Sequence, residues 1–390
     1  MKNKTELSKV VFYVIAMITA GLAIFFAVIM TEAGQFLNIP REWMIGYYLN
    51  KWTFIILNLV FLALLWFLNI KYNIWRKLWM YLASVGVVIS IISANFLMPI
   101  IFPTSQYTAN YVSITEADKI LEDDSIIYAV EINGEAKGYP RKHLELPHVA
   151  GATIGGEEVA MTFCGLSNLP VVYEQSMIDG KSKLGVLSQT HNNLLMVEMN
   201  SGELIQQITA TTEFSKKKLK TYPNTMMSWK SFKSLYPKAE VFIHPFERPL
   251  DTVLRLMLAG PTVQQFSEEY GPAFPTLSLK DHRLTNKDQI WGLDAGSEQA
   301  AFSKSFFEKN PIYSFSLGGG EYVIVYDSEY DLVNLFNRSV DGKIIEVTEI
   351  DRNGQTPTVK LKKEALHNGI FWMIWVEWFP DTKVFKAEDK

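Results

Sequence analysis

Three long uncharged runs dominate the first hundred residues of the chain. They extend over Val10–Met30, over Trp52–Ile70 and from Leu78 to about Phe102. A helix rises about 1.5 Å per residue, so roughly 20 residues are enough to cross the bilayer's hydrocarbon core, which is about 30 Å thick. The pattern therefore predicts an N-terminal all-α transmembrane segment of three helices over residues 1–103, with the lipid bilayer as its partner.

The basic residues between these runs predict the orientation of the segment. Six lie before the first run or between the second and third, and two lie between the first and second: Lys2, Lys4, Lys9, Lys71, Arg76 and Lys77, against Arg41 and Lys51. The positive-inside rule then places the N-terminus in the cytoplasm and the chain after the third crossing outside. The first run is too long for a removable signal peptide, and none of the three contains an ionisable residue. We expect a multi-pass anchor in the plasma (inner) membrane of a bacterial cell.

Charge changes sign after the membrane segment. Residues 1–115 carry eight basic and three acidic side chains, and the rest of the chain carries −9 because the total is −4. This acidic body has no basic stripe, which argues against a nucleic-acid partner. Its single cysteine, Cys164, excludes an intrachain disulfide.

The acidic body contains an internal repeat. The segment that begins at Ser125 matches the segment that begins at Asp288, 163 positions later and without a gap, so that Gly155-Gly156 falls on Gly318-Gly319. A second match, of WKSFKSLYP with WMIWVEWFP, closes each copy at a shorter offset. The sequence therefore predicts two repeated lobes.

Each lobe has the pattern of a mainly β structure. Apolar stretches such as IIYAVEI and EVAMTF lie between glycine turns, which is typical of strands joined by hairpins. A capping box at Ser113 or Thr115 predicts a short helix after it. We predict a β-rich α+β extracytoplasmic domain. Its parts are a linker over 104–116, a first lobe over 117–245, a connector over 246–282 and a second, degenerate lobe over 283–386.

Comparison of the two copies selects candidate functional residues. The first copy has His148 where the second has Pro311, and it has Cys164 where the second has Asp327. A duplicated fold often keeps one working site, so we take His148 and Cys164 as candidates. The remaining histidines, His143, His244, His282 and His367, have no metal-ligand spacing and are interpreted as structural or solvent-facing.

Cys164 allows four interpretations. As a nucleophile or redox thiol it would use His148 as a base, oriented by Asn168 or Asn192. As a metal ligand it would combine with His148, His191 and Met196, a soft set suited to copper. It could instead line a pocket, or be a buried cysteine that acts as a small hydrophobic residue.

The segments NGEAKGYP, LELPH and GATIGGEEVAMTFCGLSN, followed by NNLLMVEMNSGELIQQ, resemble the domain-of-unknown-function family 3179 over about residues 115–386. By position, the resemblance implies site residues at Tyr139, His148, Cys164, Asn192, Met196 and Gln207. The family's second cysteine is Ser167 here, so a CxxC pair is absent. The family name implies no activity.

These observations predict a membrane-anchored extracytoplasmic protein that binds a small ligand or an envelope protein partner near Cys164 and His148. The expected ligand-binding residues are Tyr139, Asn168, Asn192 and Gln207. The alternatives are a thiol-dependent enzyme or redox protein, a copper-like metal site, and a structural envelope component. No particular cofactor is predicted, and whether the protein is an enzyme stays open.

Overall fold

The computed structural model describes residues 2–178, 180–258 and 271–387. By their contacts these residues form two units. One contains the N-terminal helices as far as Ile101 together with Leu187–Thr190, and the other begins at Phe102 and contains the remaining described residues.

The first unit consists of three long helices. They are α1 (Lys2–Ile29), α2 (Arg41–Tyr72) and α3 (Lys77–Ile101), with a 3₁₀ helix at Glu32–Leu37. Each contains a stretch that is long and apolar enough to span a membrane, which confirms the prediction of three such helices. A side-chain hydrogen bond joins α2 to α3, in which Trp66 Nε1 donates to Ser84 Oγ at 2.9 Å.

The described residues after α3 form short strands and six short helices. The helices are α4 (Ile114–Ala117), α5 (Arg141–Leu144), α6 (Trp229–Leu235), α7 (Pro249–Leu258), α8 (Lys304–Lys309) and α9 (Trp372–Trp378). The strands before α6 are β1 (Tyr111–Ser113), β2 (Ile126–Ile132), β3 (Glu135–Pro140), β4 (Val149–Ile154), β5 (Glu157–Cys164), β6 (Leu169–Glu174), β7 (Leu184–Thr190), β8 (Asn193–Glu198), β9 (Leu204–Gln206), β10 (Thr211–Thr212), β11 (Thr221–Tyr222) and β12 (Thr225–Ser228). The strands after α6 are β13 (Glu240–Phe242), β14 (Gln289–Asp294), β15 (Gln299–Ser303), β16 (Ile312–Leu317), β17 (Gly320–Asp327), β18 (Leu332–Asn337), β19 (Ser339–Val340), β20 (Lys343–Ile344), β21 (Lys362–Glu364), β22 (His367–Phe371) and β23 (Lys383–Phe385).

The strands form five small sheets in a ring, in the manner of a five-bladed propeller, within the described part of the chain. Their strand orders are β1-β13-β3-β2-β12 (sheet I), β11-β6-β5-β4 (sheet II), β10-β9-β8-β7 (sheet III), β22-β14-β15-β23 (sheet IV) and β16-β17-β18-β21 (sheet V), and β19 and β20 form a separate two-stranded ribbon. The predicted β-rich domain with short helices is therefore confirmed. By contacts the unit does not divide further, and the two repeated lobes stay a prediction.

Two glycine pairs make the hairpin turns that the repeat predicts. Gly155 and Gly156 have φ of +54° and +85°, and Gly318 and Gly319 have +57° and +81°. Two successive residues with positive φ match the twist of a tight β-hairpin, and glycine adopts that conformation without a steric penalty. The first pair connects β4 to β5 and the second connects β16 to β17, each as an antiparallel hairpin.

Aromatic side chains on the short helices form part of the core. Trp229 and Phe232 of α6 pack between sheets I and V, and Trp372 and Trp375 of α9 are completely buried. Burial of each such side chain contributes about 1.5–3 kcal/mol. The aromatic segment near the C-terminus is therefore a packed helix, as its match to α6 predicts. The predicted capping box is also present, with Ser113 and Glu116 at the start of α4.

Residues 104–116, predicted as a linker, are integrated into the second unit. Ser105 N–H donates to Val149 O at 2.8 Å, and the Gln106 side chain bonds to Ser182 O and Leu184 N. An ideal Cβ on Gly151 would lie 1.8 Å from the carbonyl oxygen of Gln106, so glycine is needed for this approach. Part of the predicted connector 246–282, residues 259–270, lies outside the described residues.

Candidate functional site

The turn between β5 and β6 brings Cys164 to the edge of a buried polar region. Val159, Met161 and Phe163 point into the core between sheets I and II. Because side chains alternate along a strand, Thr162 and Cys164 point to the opposite face. Cys164 is buried, with 1% of its surface exposed.

The Cys164 sulfur lies among hydrogen-bonding groups. Its Sγ donates to Asn192 O at 3.8 Å. Burial raises the pKa of the Cys164 thiol, and the hydroxyl and amide of Ser167 with the amides of Leu166 and Leu194 offset this effect only in part. The thiol is therefore protonated at neutral pH. A reactive cysteine, by contrast, has a lowered pKa and is ionised more readily.

Asn193 is the centre of the polar network beside this cysteine. Its Nδ2 donates to Ser167 Oγ and to Gln207 Oε1, both at 3.2 Å. Its Oδ1 accepts from Gln206 Nε2 at 2.7 Å and from Ile208 N at 3.0 Å. These side chains are buried, so the satisfied network holds sheet III against the β5–β6 turn.

The predicted residues Asn192 and His191 form the tight turn before β8. Their φ values are +54° and +47°, the conformation of a two-residue hairpin turn. Asn192 is buried, and its amide group bonds to Phe274 O, Thr276 Oγ1 and Phe274 N at 2.9–3.0 Å. His191 is partly exposed and lies 3.4 Å from Glu377.

His148 is buried, and its carbonyl oxygen accepts from the N–H of Phe163, the residue before Cys164, at 2.8 Å. Its ring stacks on Phe102 with 4.9 Å between ring centroids, and its Nδ1 has no hydrogen-bond partner among the described residues. Burial lowers the pKa of His148 to about 4. No described hydrogen bond joins it to Cys164, so the predicted pairing of these residues as base and nucleophile stays a prediction.

Asn168 connects the β5–β6 turn to a buried ion pair. It adopts a left-handed conformation (φ +55°), accepts from Arg141 Nε at 2.7 Å and donates to Gly369 O at 2.7 Å. Arg141 Nη1 lies 2.5 Å from Glu145 Oε1, and both side chains are buried. Buried Lys287 lies over the Phe371 ring, and burial together with the nearby Arg141 charge lowers the Lys287 pKa to about 8.

Arg141 and Glu145 also line a cavity of about 1050 Å³. The other lining residues come from the segment before β2, from α5 and from the region between β13 and the end of α7: Ile120, Leu121, Glu122, Asp124, Ser125, Ile126, Pro140, Lys142, His143, Leu146, Ile243, His244, Pro245, Phe246, Thr252, Arg255 and Leu256. The wall thus combines apolar, charged and histidine side chains.

Two histidines and two cations meet on one side of this cavity. His143 Nδ1 accepts from His244 N at 3.2 Å, and burial together with the charges of Arg255 and Lys142 lowers the pKa of His143 to about 4. Burial also lowers the pKa of His244, whose two ring nitrogens have no hydrogen-bond partner among the described residues. Arg255 lies 4.3 Å over the Phe246 ring, and neither it nor Lys142 forms an ion pair within the described part of the chain.

The structure thus brings together only part of the predicted site. Cys164, Asn192, Gln207 and Asn168 lie on or beside the β5–β6 turn and its polar network. Tyr139 lies in the core between sheets I and II, where its hydroxyl accepts from Tyr111 at 3.1 Å, and Met196 is buried in β8. The described residues include no group of three or more His, Cys, Asp or Glu side chains that could hold a metal ion.

Sequence analysis missed the cavity residues His143, His244, Arg141 and Arg255. The first two were interpreted as structural or solvent-facing, since they have no motif spacing. The four-residue spacing of Arg141 and Glu145 on a helix was an available signal for a salt bridge. No comparable signal connects Arg255 with His143.

The comparisons with known proteins agree with the resemblance found in the sequence. The family model described as "Protein of unknown function (DUF3179)" matches residues 99–382. No curated protein and no solved structure matches the chain.

Proposed function

The chain belongs to the DUF3179 family of proteins of unknown function, and from its own residues we propose that the β-rich unit binds a small anionic ligand in the cavity beside Arg255. The observation that carries this proposal is the pair of cations Arg255 and Lys142, which form no ion pair within the described part of the chain, next to His143 and His244. Both cations lower the pKa of His143. The nearest acidic groups have cationic partners: Glu145 pairs with Arg141, and Asp251, 3.9 Å from His244 Nε2, pairs with Arg248. Positive charge is therefore available to an anion on the side of the cavity around Arg255, opposite in sign to Glu122 and Asp124 elsewhere on the wall.

The neutral histidines supply hydrogen bonds to such a ligand. His143 Nδ1 lies 3.2 Å from His244 N and 3.3 Å from His244 O, so the backbone engages Nδ1, and Nε2 is the ring nitrogen that can bond to a ligand. Neither ring nitrogen of His244 has a hydrogen-bond partner among the described residues, although Asp251 lies 3.9 Å from Nε2, and buried polar atoms without a hydrogen bond cost about 1–3 kcal/mol each. A ligand that bonds to them removes this cost.

The size and rigidity of the cavity also support ligand binding. Small-molecule sites have volumes of roughly 300–1,000 Å³, and this cavity measures about 1050 Å³. Its inner wall contains the Arg141–Glu145 pair, which Asn168 fixes to the β5–β6 turn. Cys164 therefore lies near the structural support of the site, and the predicted redox and metal roles of Cys164 and His148 stay predictions.

We expect Arg255→Gln to weaken the binding of inorganic phosphate, the probe, by about 10- to 100-fold. A hydrogen bond to a charged group is worth about 1.5–3 kcal/mol, and each 1.4 kcal/mol is tenfold in affinity. Isothermal titration calorimetry of the full chain in phosphatidylcholine nanodiscs measures this difference.

Arg352→Gln is the matched control, because Arg352 also lies over an aromatic ring, that of Tyr330 at 4.5 Å, but does not line the cavity. This variant should bind phosphate as the unmodified protein does. If the unmodified protein binds no phosphate, or if both variants lose binding equally, the proposal is wrong.

We propose that the β-rich unit lies outside the cell and that the helices are anchored in the plasma membrane with the N-terminus inside. The unequal distribution of lysine and arginine around the helices supports this orientation. In a Cys164→Ser background, Lys343→Cys should react with an impermeant maleimide on intact cells. Arg76→Cys should react only after permeabilisation, and the reverse result would contradict the orientation.

We propose that a duplication produced the ring. Two observations on topology support it: the order β13-β3-β2-β12 in sheet I equals β23-β15-β14-β22 in sheet IV, and the order of sheet II equals that of sheet V. The β13–β3 and β23–β15 pairs are also both parallel. In an experimental structure the two halves should superpose strand on strand, and a different strand order in either half would overturn the proposal.

A further inference from the structure

The mouth of the cavity is apolar and exposed, in contrast to its charged wall. Ile120 and Leu256 line the cavity and are 52% and 73% exposed. Leu250 and Val253 extend the apolar surface along α7, while Asp251 and Leu254 on another side of the helix are buried. An amphipathic helix normally buries its apolar side chains, whereas α7 leaves three large ones in solvent beside the cavity that contains Arg255.

We propose that the ligand is an anionic amphiphile, with its charged head at Arg255, His143 and His244 and its alkyl chain on Ile120 and Leu256. This inference rests on the proposed function and adds the class of ligand. Arg255 and Leu256 are neighbours in α7 and both line the cavity, so the head site and the apolar mouth are one continuous surface.

The apolar mouth distinguishes this ligand from a small hydrophilic anion. A hydrophilic anion satisfies the cations but leaves Ile120 and Leu256 in water. An alkyl chain that covers them gains about 0.8 kcal/mol for each CH₂ group that it buries, which corresponds to about fourfold in affinity.

The test is a series of probes with one head and increasing chain length: inorganic phosphate, butyl phosphate, hexyl phosphate and octyl phosphate. Calorimetry with the full chain in phosphatidylcholine nanodiscs should show affinity rising by up to about fourfold per CH₂. Empty nanodiscs provide the correction for partition into lipid. Affinities that do not change with chain length, while phosphate itself binds, would overturn the inference and leave the proposed function intact. Absence of phosphate binding would instead overturn the proposed function.

Two variants separate the chain site from the head site. Ile120→Ser combined with Leu256→Ser should remove the dependence on chain length and leave phosphate affinity unchanged. Ile344→Ser is the matched control, because Ile344 is 60% exposed on β20 and does not line the cavity. A double variant that retains the full chain-length dependence would contradict the placement of the alkyl chain.

The same assay distinguishes two sources of the amphiphile. If the ligand is a bilayer lipid, nanodiscs that contain anionic phosphatidylglycerol should compete with octyl phosphate and weaken its binding. If the ligand is a free amphiphile, the lipid composition should not affect octyl phosphate binding. Either result supports an anionic amphiphile, and the two differ only in its source.

Discussion

Acidification from pH 6.5 to about 4 is expected to remove about 3 kcal/mol of folding stability through His148 alone. Burial lowers the pKa of His148 to about 4 in the folded protein, whereas histidine in an unfolded chain has a pKa of about 6.5. Below pH 6.5 the unfolded chain takes up the proton first, so stability falls with pH until the folded-state pKa is reached. The slope is about 1.4 kcal/mol per pH unit. His143, whose pKa is also lowered to about 4, adds a similar term.

Urea unfolding of the full chain in detergent micelles between pH 7 and pH 4.5 measures this effect. His148→Asn should reduce the slope of the unfolding free energy against pH by about 1.4 kcal/mol per pH unit, the contribution of one proton. Asparagine tolerates the left-handed φ of +68° at this position. Phe102→Leu is the control: it removes the ring that stacks on His148 but keeps the titrating group. It should lower stability at every pH and keep most of the slope. An unchanged slope in His148→Asn would contradict the assignment.

Replacing Asn193 with alanine is expected to destabilise the β-rich unit by about 3 kcal/mol or more. The substitution removes four hydrogen bonds at once, to Ser167, Gln207, Gln206 and Ile208, all in the buried interior. Each buried polar group that loses its partner costs about 1–3 kcal/mol, and the alanine also leaves a small cavity.

The measurement is the urea midpoint of the full chain, together with the rate at which a maleimide labels Cys164. Asn193 holds Ser167, whose hydroxyl faces the Cys164 sulfur. The maleimide should therefore label Cys164 faster in the Asn193→Ala variant. Asn200→Ala is the matched control, since Asn200 is exposed and makes one side-chain hydrogen bond, to Lys181 O at 3.3 Å. Equal stability of the two variants would show that the network does not contribute as proposed.

The sequence was sufficient for features that depend on neighbouring residues. The three apolar helices follow from uninterrupted runs of about 20 residues, and the Gly155-Gly156 and Gly318-Gly319 hairpins follow from the φ values that only glycine adopts easily. The capping box at Ser113 and Glu116 spans three residues. Such features are decided within one turn or one strand pair, so local sequence determines them.

The placement of Cys164 and His148 was decided by packing. Both residues differ between the two copies, which made them candidates, but sequence contains no measure of burial around a side chain. In the folded protein burial raises the pKa of Cys164 and lowers that of His148. The reactivity of each group therefore depends on residues that lie far away in the chain, such as Asn192 and Phe102.

The cavity beside Arg255 required the tertiary structure. It joins His143 on α5 to His244 after β13 and to Arg255 on α7, which lie 101 and 112 positions further along the chain, and no recognisable motif connects them. The charge balance of a site depends on which side chains the sheet order brings together. Here β13 lies beside β3 because Glu240 pairs with Lys137 and Val241 pairs with Gly138, about one hundred positions apart in the chain.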